Sequence, residues 1–187
     1  MTSVRHNGYL DAARACILDV GWKRTTLTDV ARRAGVSRMT IYRTWPDMQT
    51  LLADLMTREW AGVATAVPQT GTTPDDIAAG VVTAVRALRS NPLFRRILDV
   101  DPELVLPYLL DRRGRSQELI LGVLVERIRT GQERGEIREG DPDLLARTVV
   151  LTAHGIALSA HTMVGDAVTE DGLDTELASF VSRGLAP

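Results

Sequence analysis

Arg38, Met39, Thr40, Tyr42 and Arg43 lie within six residues and surround a single apolar residue, Ile41. On a helix, Ile41 turns inward and the other five stay on the outer side. Such a face suits a major groove: guanidinium for guanine edges or phosphate, hydroxyl for phosphate, and a flexible methionine for a thymine methyl. The bland alternative is a helical hairpin with a solvated arginine face. Charge position bears on the choice, because residues 1–65 hold nine basic and six acidic groups whereas residues 66–187 hold thirteen and eighteen. A basic N-terminal third on an acidic body, at a formal net charge of -2, is compatible with a polyanionic partner for that third.

Other chemistry is poorly supported by spacing. His154 and His161 are seven residues apart, about 10.5 Å along one helix, too far to share an ion whose ligands sit near 2 Å. Asp99, Asp101 and Glu103 lack a glycine-centred calcium loop, and helix capping accounts for Asp101. Cys16 is the single cysteine, which excludes an intrachain disulfide and paired-cysteine metal or redox sites and fits a reducing compartment. With no glycine-rich phosphate loop and no nucleophile elbow, the expectation is a protein that is not an enzyme and needs no cofactor or metal. The N-terminus shows no apolar run with a small-residue cleavage site, so a cytoplasmic location is expected.

The elements that would position the arginine-bearing face are helices. In 187 residues, 44% hydrophobic and 25% charged, three-four spacing recurs and sustained alternation does not, giving an all-α fold of about nine helices. Tyr9, Ala13, Ile17 and Val20 form one stripe, helix 7–20, ending at Gly21. Thr26 or Thr25 caps a short helix that stops at Gly35, Ser37 caps a second over 38–45, and Asp47 begins a third that runs to about 65. Residues 67–73 read as a loop, and Thr73-Pro74, Asn91-Pro92, Asp101-Pro102 and Asp141-Pro142 as helix starts. Helices follow to about 89, over 92–100 and 102–110, then over 116–133. Thr148 to Gly165 carries no formal charge, yet its histidines and hydroxyls are costly in hydrocarbon, so it reads as a buried helix and not a membrane span. A final helix is expected over 171–183.

Between residues 26 and 45, Ala31 is small where two helices cross, Gly35 permits a positive φ, and Val30, Val36 and Ile41 fill the space between them, as a helix-turn-helix requires. Residues 9–55, with Gly21, Thr25-Thr26, Ala31, Ala34-Gly35-Val36-Ser37, Thr40-Ile41-Tyr42 and Leu51-Leu52, resemble the DNA-binding domain of the TetR family of transcriptional regulators. The resemblance implies a helix-turn-helix domain over 1–47 and an effector-binding and dimerisation domain over 48–187. It implies Arg38, Met39 and Arg43 at base edges and Thr26, Thr40 and Tyr42 on phosphates, although Tyr42 could equally pack helix three on helix one. Two positions depart from the family: Trp45 replaces a usual phenylalanine, and Met48 stands where a phosphate-binding lysine is usual.

One recognition helix reads few base pairs, so a homodimer on double-stranded operator DNA is expected. The uncharged helix would gain its missing cover from a twofold mate, with Ala153, Ala157 and Ala160 allowing close approach; a wholly intramolecular position is the alternative. The resemblance further implies a small-molecule effector. Met56, Trp60, Phe94, Leu98, Tyr108 and His154 are candidates to line its pocket, although such residues more often fill a core. The function expected is that of a repressor released by a ligand. The competing readings are a small helical enzyme or binding protein whose hairpin does not touch DNA, and a regulator answering to a protein partner.

Overall fold

The computed structural model describes residues 2–66 and 71–187, so part of the expected 67–73 loop lies outside the described residues. Ten α-helices and one 3-10 turn appear among them: α1 Thr2–Val20, α2 Leu27–Arg33, α3 Arg38–Thr44, α4 Met48–Ala66, α5 Pro74–Ser90, α6 Pro92–Val100, the 3-10 turn Pro102–Leu104, α7 Leu106–Leu110, α8 Arg115–Glu133, α9 Pro142–Met163 and α10 Glu170–Leu185. The helix starts follow local chemistry. Thr26, Ser37, Asn91, Asp141 and Thr169 each accept a backbone N–H of the first turn, which satisfies donors that a helix start leaves orphaned.

Two boundaries differ from expectation for identifiable reasons. The first helix begins near residue 2 and not at 7, and its added turn has contacts of its own: the His6 ring meets the buried Trp45 ring at 4.8 Å and lies 3.9 Å from Asp54 of α4. The helix expected over 102–110 is broken into the 3-10 turn and α7. Pro107 lacks an N–H and crowds the preceding turn, and the segment is held instead by tighter bonds such as Val105 N–H to the Pro102 carbonyl, 3.1 Å.

The chain forms two compact units. Residues 1–61 and 91–116 make one; residues 62–90 and 117–187 make the other. The first therefore reaches beyond the 1–47 expected for a DNA-binding domain, and its core shows why: Leu51, Leu55, Leu93 and Ile97 share a cluster with Leu10, Ile17, Val30, Ile41 and Trp45. Burying each such side chain contributes about 1.5–3 kcal/mol, so a domain cut at residue 47 would forfeit several of these contributions.

In the second unit, α5, α9 and α10 pack against one another. Asp174 of α10 is 1% exposed and is paired with Arg86 and Arg89 of α5, each at 2.7 Å. Removing both arginines would strand the buried Asp174 carboxylate at a cost of about 3–5 kcal/mol, whereas removing one leaves the other in place. Helix α9 has the length and mean hydropathy, 22 residues and 1.2, to cross a membrane, and 28% of its apolar window is buried within the chain. Its inward side is Leu145, Ala146, Val149, Ala157 and Ala160. Its outward side carries Leu144, Arg147, Thr148, Leu151, Gly155 and Ser159.

Candidate nucleic-acid interface

The turn between α2 and α3 is built by three local devices. Thr26 and Asp29 close a capping box at the start of α2, and the Thr26 bonds hold the Asp29 carboxyl below its usual range. Gly35, at φ +67°, takes the left-handed conformation that a side chain would strain, and Val36 N–H reaches back to the Ala31 carbonyl at 3.0 Å. Ser37 then caps α3 by accepting from Thr40 N–H. Val30, Ala31 and Ile41, all at most 1% exposed, seal the crossing.

Trp45 fixes the far end of α3. It is fully buried, its indole N–H donates to Asp54 of α4 at 2.8 Å, and its ring meets His6 at 4.8 Å and Tyr9 at 6.4 Å. The departure from phenylalanine is thus accommodated by an acceptor that a phenyl ring would not need.

Partners within the chain separate groups that are committed from groups that are free. Arg32 pairs with Asp29 at 2.7 Å, Arg33 pairs with Asp19, and Lys23 pairs with Glu103 at 2.5 Å. Thr26 gives its hydroxyl and its N–H to Asp29, the Thr40 and Ser37 hydroxyls bond each other at 2.9 Å, and Thr44 donates to the Thr40 carbonyl. Among the described residues, the side chains of Arg38, Tyr42 and Arg43 have no such bond, and Met39 is 75% and Tyr42 46% exposed. All six expected residues therefore lie on the helix-turn-helix, but Thr26 must release its bond to Asp29 to donate to a phosphate, whereas Thr40 can do so while accepting from Ser37. Met48, the first residue of α4, packs partly against the core.

Asp101 departs from its expected role. It does not cap a helix with its side chain; it is 2% exposed and accepts Trp22 N–H at 2.7 Å. This bond, with Lys23–Glu103, ties the α1–α2 turn to the end of α6. Gly21 is required there twice over, since its φ is +86° and a Cβ would stand 3.1 Å from Val100 Cγ1 and 3.2 Å from Asp101 Oδ2.

Residues 10–55 match the family model for bacterial regulatory proteins of the tetR family. An uncharacterized HTH-type transcriptional regulator of Mycobacterium tuberculosis (strain ATCC 25618 / H37Rv) is 36% identical over 176 residues, which is 94% of this chain and 92% of that protein. This chain belongs to the TetR family of transcriptional regulators. The HTH-type regulator AqdR of Rhodococcus erythropolis is 32% identical over 79% of this chain and 69% of its own. Among solved structures, SmeT, the repressor of the Stenotrophomonas maltophilia multidrug efflux pump SmeDEF, shares the fold with a TM-score of 0.69 at 23% identity, covering 97% of this chain and 90% of that one. SmeT is also known in complex with triclosan, at a TM-score of 0.66. The chain is accordingly a DNA-binding transcriptional regulator of a family whose work is regulatory and not enzymatic.

The expected effector-pocket residues of this regulator fall in both units. Met56, Trp60, Phe94, Leu98 and Tyr108 are in the first, where the Trp60 and Phe94 rings meet edge to face at 5.9 Å. His154 is in the second, half-buried on α9, and burial lowers its pKa. Unfolded histidine titrates near 6.5, so below that pH the unfolded chain binds a proton that folded His154 resists. The stability His154 contributes is present above about pH 6.5 and is lost as pH falls further. Denaturant unfolding at pH 7.5 and 5.5 will show a smaller loss for His154→Gln than for the parent; an equal loss would assign the effect to other groups.

The alanines expected at a dimer interface, Ala153, Ala157 and Ala160, all lie on α9. Ala157 and Ala160 are 7% and 2% exposed, already covered by their own chain, and Ala153 is half-buried. A helix apolar nearly all round hides its orientation, and the exposed large apolar side chains of α9 and α10 are Leu144, Leu151 and Met163 of α9 and Phe180 of α10.

Proposed function

We propose that the regulator is a cytoplasmic repressor that binds double-stranded operator DNA as a homodimer and leaves it when a small molecule binds. The observation that carries the reading is the set of uncommitted groups on the outer face of α3: Arg38, Met39, Tyr42 and Arg43, beside neighbours whose charges and hydroxyls are already engaged. Base edges and phosphates in a major groove are the partners that this set fits. Fourteen basic against ten acidic groups in the first compact unit, and eight against fourteen in the second, would direct DNA toward α3. With Met48 in place of a lysine, phosphate affinity rests on Arg43, the Tyr42 hydroxyl and neighbouring groups.

Dimerisation through the outer faces of α9 and α10 would present two α3 helices to half-sites about 34–36 Å apart, or a multiple of that. Leu151 and Phe180 are 70% and 63% exposed in the single chain. A shallow depression on α10 is lined by Glu176, Ser179, Phe180, Arg183 and Gly184. Such a surface suits a self-complementary contact. The effector reading is supported by the triclosan complex of SmeT, which shows a molecule of this fold holding a small organic ligand. Release requires only that the effector favour the non-binding arrangement by a few kcal/mol.

Fluorescence anisotropy on the duplex immediately upstream of the regulator's own gene, against a scrambled duplex and across a salt series, tests the reading. Preference for the upstream duplex by orders of magnitude is expected, with log K falling by several units per log salt. Arg38→Ala and Tyr42→Ala are each expected to weaken binding about tenfold or more while the dimer persists. Unchanged operator affinity in both would overturn the assignment of α3.

A further inference from the structure

We propose that the half-site read by α3 contains a guanine and, on the adjacent base pair, a thymine recognised through its methyl group, with Arg38 and Met39 as the specificity-determining side chains. The inference rests on α3 being the DNA-reading helix and goes on to say what it reads. At 100° per residue, Arg38 and Tyr42 form one row on the outer face and Met39 and Arg43 the row beside it. The first turn thus presents Arg38 and Met39 side by side, and in a helix-turn-helix it is the N-terminal residues of the second helix that meet base edges. Tyr42 and Arg43, one turn later, fall toward the sugar-phosphate strand.

The chemistry of these two side chains selects the bases. Arg38 is exposed and has no carboxylate partner among the described residues, unlike Arg32 and Arg33 of α2, so its fork is available to guanine O6 and N7. Met39, 75% exposed, offers a flexible apolar end and no strong donor, which fits the C5-methyl of thymine. The third first-turn side chain, Thr40, is turned to Ser37 at 2.9 Å. Helix α3 contains no Asn or Gln to pair with adenine and no Asp or Glu to accept from cytosine. Side chains one residue apart span about one base step, so the two bases must be neighbours.

Full-length protein is first used to select half-sites from random-sequence duplexes. The selected duplex is then resynthesised with uracil for each thymine and 7-deazaguanine for each guanine, and binding of the parent, Met39→Ala and Arg38→Ala is compared. One uracil position is expected to weaken the parent about three- to fivefold, the value of one methyl group, and to leave Met39→Ala unaffected. A 7-deazaguanine on the adjacent pair is expected to weaken the parent about tenfold and leave Arg38→Ala unaffected. Indifference of the parent to every uracil, an undiminished uracil penalty in Met39→Ala, or sensitive bases that are not adjacent would each overturn the inference and leave the regulator reading standing. Failure to enrich any sequence would overturn that reading, and this inference with it.

Discussion

Trp45→Ala lowers the stability of the first compact unit by about 3–5 kcal/mol, the range for truncating a large buried aromatic side chain, and abolishes specific DNA binding with it. The ring is fully buried, sits at the end of α3, and joins that helix to α1 through His6 and Tyr9 and to α4 through Asp54. Without it α3 loses the anchor that sets its orientation. Trp45→Phe separates the two contributions: it keeps most of the apolar contact and removes the indole donor, for an expected loss of about 1 kcal/mol and near-normal operator binding. Chemical denaturation followed by circular dichroism, with anisotropy on the same samples, checks both variants. A Trp45→Ala protein that unfolds like the parent would show that α3 is held by something else.

The second large effect concerns assembly. Leu151→Glu combined with Phe180→Glu puts charge on one exposed apolar side chain of each helix assigned to dimerisation, and a monomer is expected. Because two linked half-site contacts gain avidity of about 10²–10⁴ over one, operator affinity should fall by a factor in that range although α3 is untouched. Sedimentation velocity and anisotropy together give the answer. A dimer that survives both changes would place the interface elsewhere. Ala157 and Ala160, by contrast, are inward-facing, so enlarging either should disturb the packing of the single chain first.

What could be read from the sequence is what local chemistry decides. The Thr26 and Ser37 caps, the left-handed Gly35, the inward Ile41 and the proline-led starts at Asn91 and Asp141 depend on residues three or four positions apart, and they stand where that spacing puts them. The outward arginine face of α3 was legible for the same reason. Features that depend on distant chain were not. Asp101 looked like a cap because its partner, Trp22 N–H, lies 79 residues away, and the pairing of Asp174 with Arg86 and Arg89 joins positions about as far apart. Which side of α9 meets its own chain could not be read either, because an uncharged helix gives no polar stripe to mark its outer side. The engagement of Thr26 and Thr40 by Asp29 and Ser37 was within reach of the sequence, since a capping-box spacing announces that the hydroxyl has work to do at home.

The core that supports the recognition helix is assembled from two stretches of chain, 1–61 and 91–116, with about thirty residues of the other unit between them. During synthesis, therefore, the first three helices emerge before Leu93 and Ile97, which complete their packing, exist at all. At about 5–20 residues per second, the roughly 55 residues from the end of the first stretch to the end of the second take some three to ten seconds. Over that interval the nascent chain shows Leu51, Leu52 and Leu55 without their final cover. A nascent polypeptide that cannot yet settle its recognition helix is in no position to grip DNA, so competence to bind arrives late in translation, and a message truncated in the first third yields a fragment fit for proteolysis and not a partial regulator.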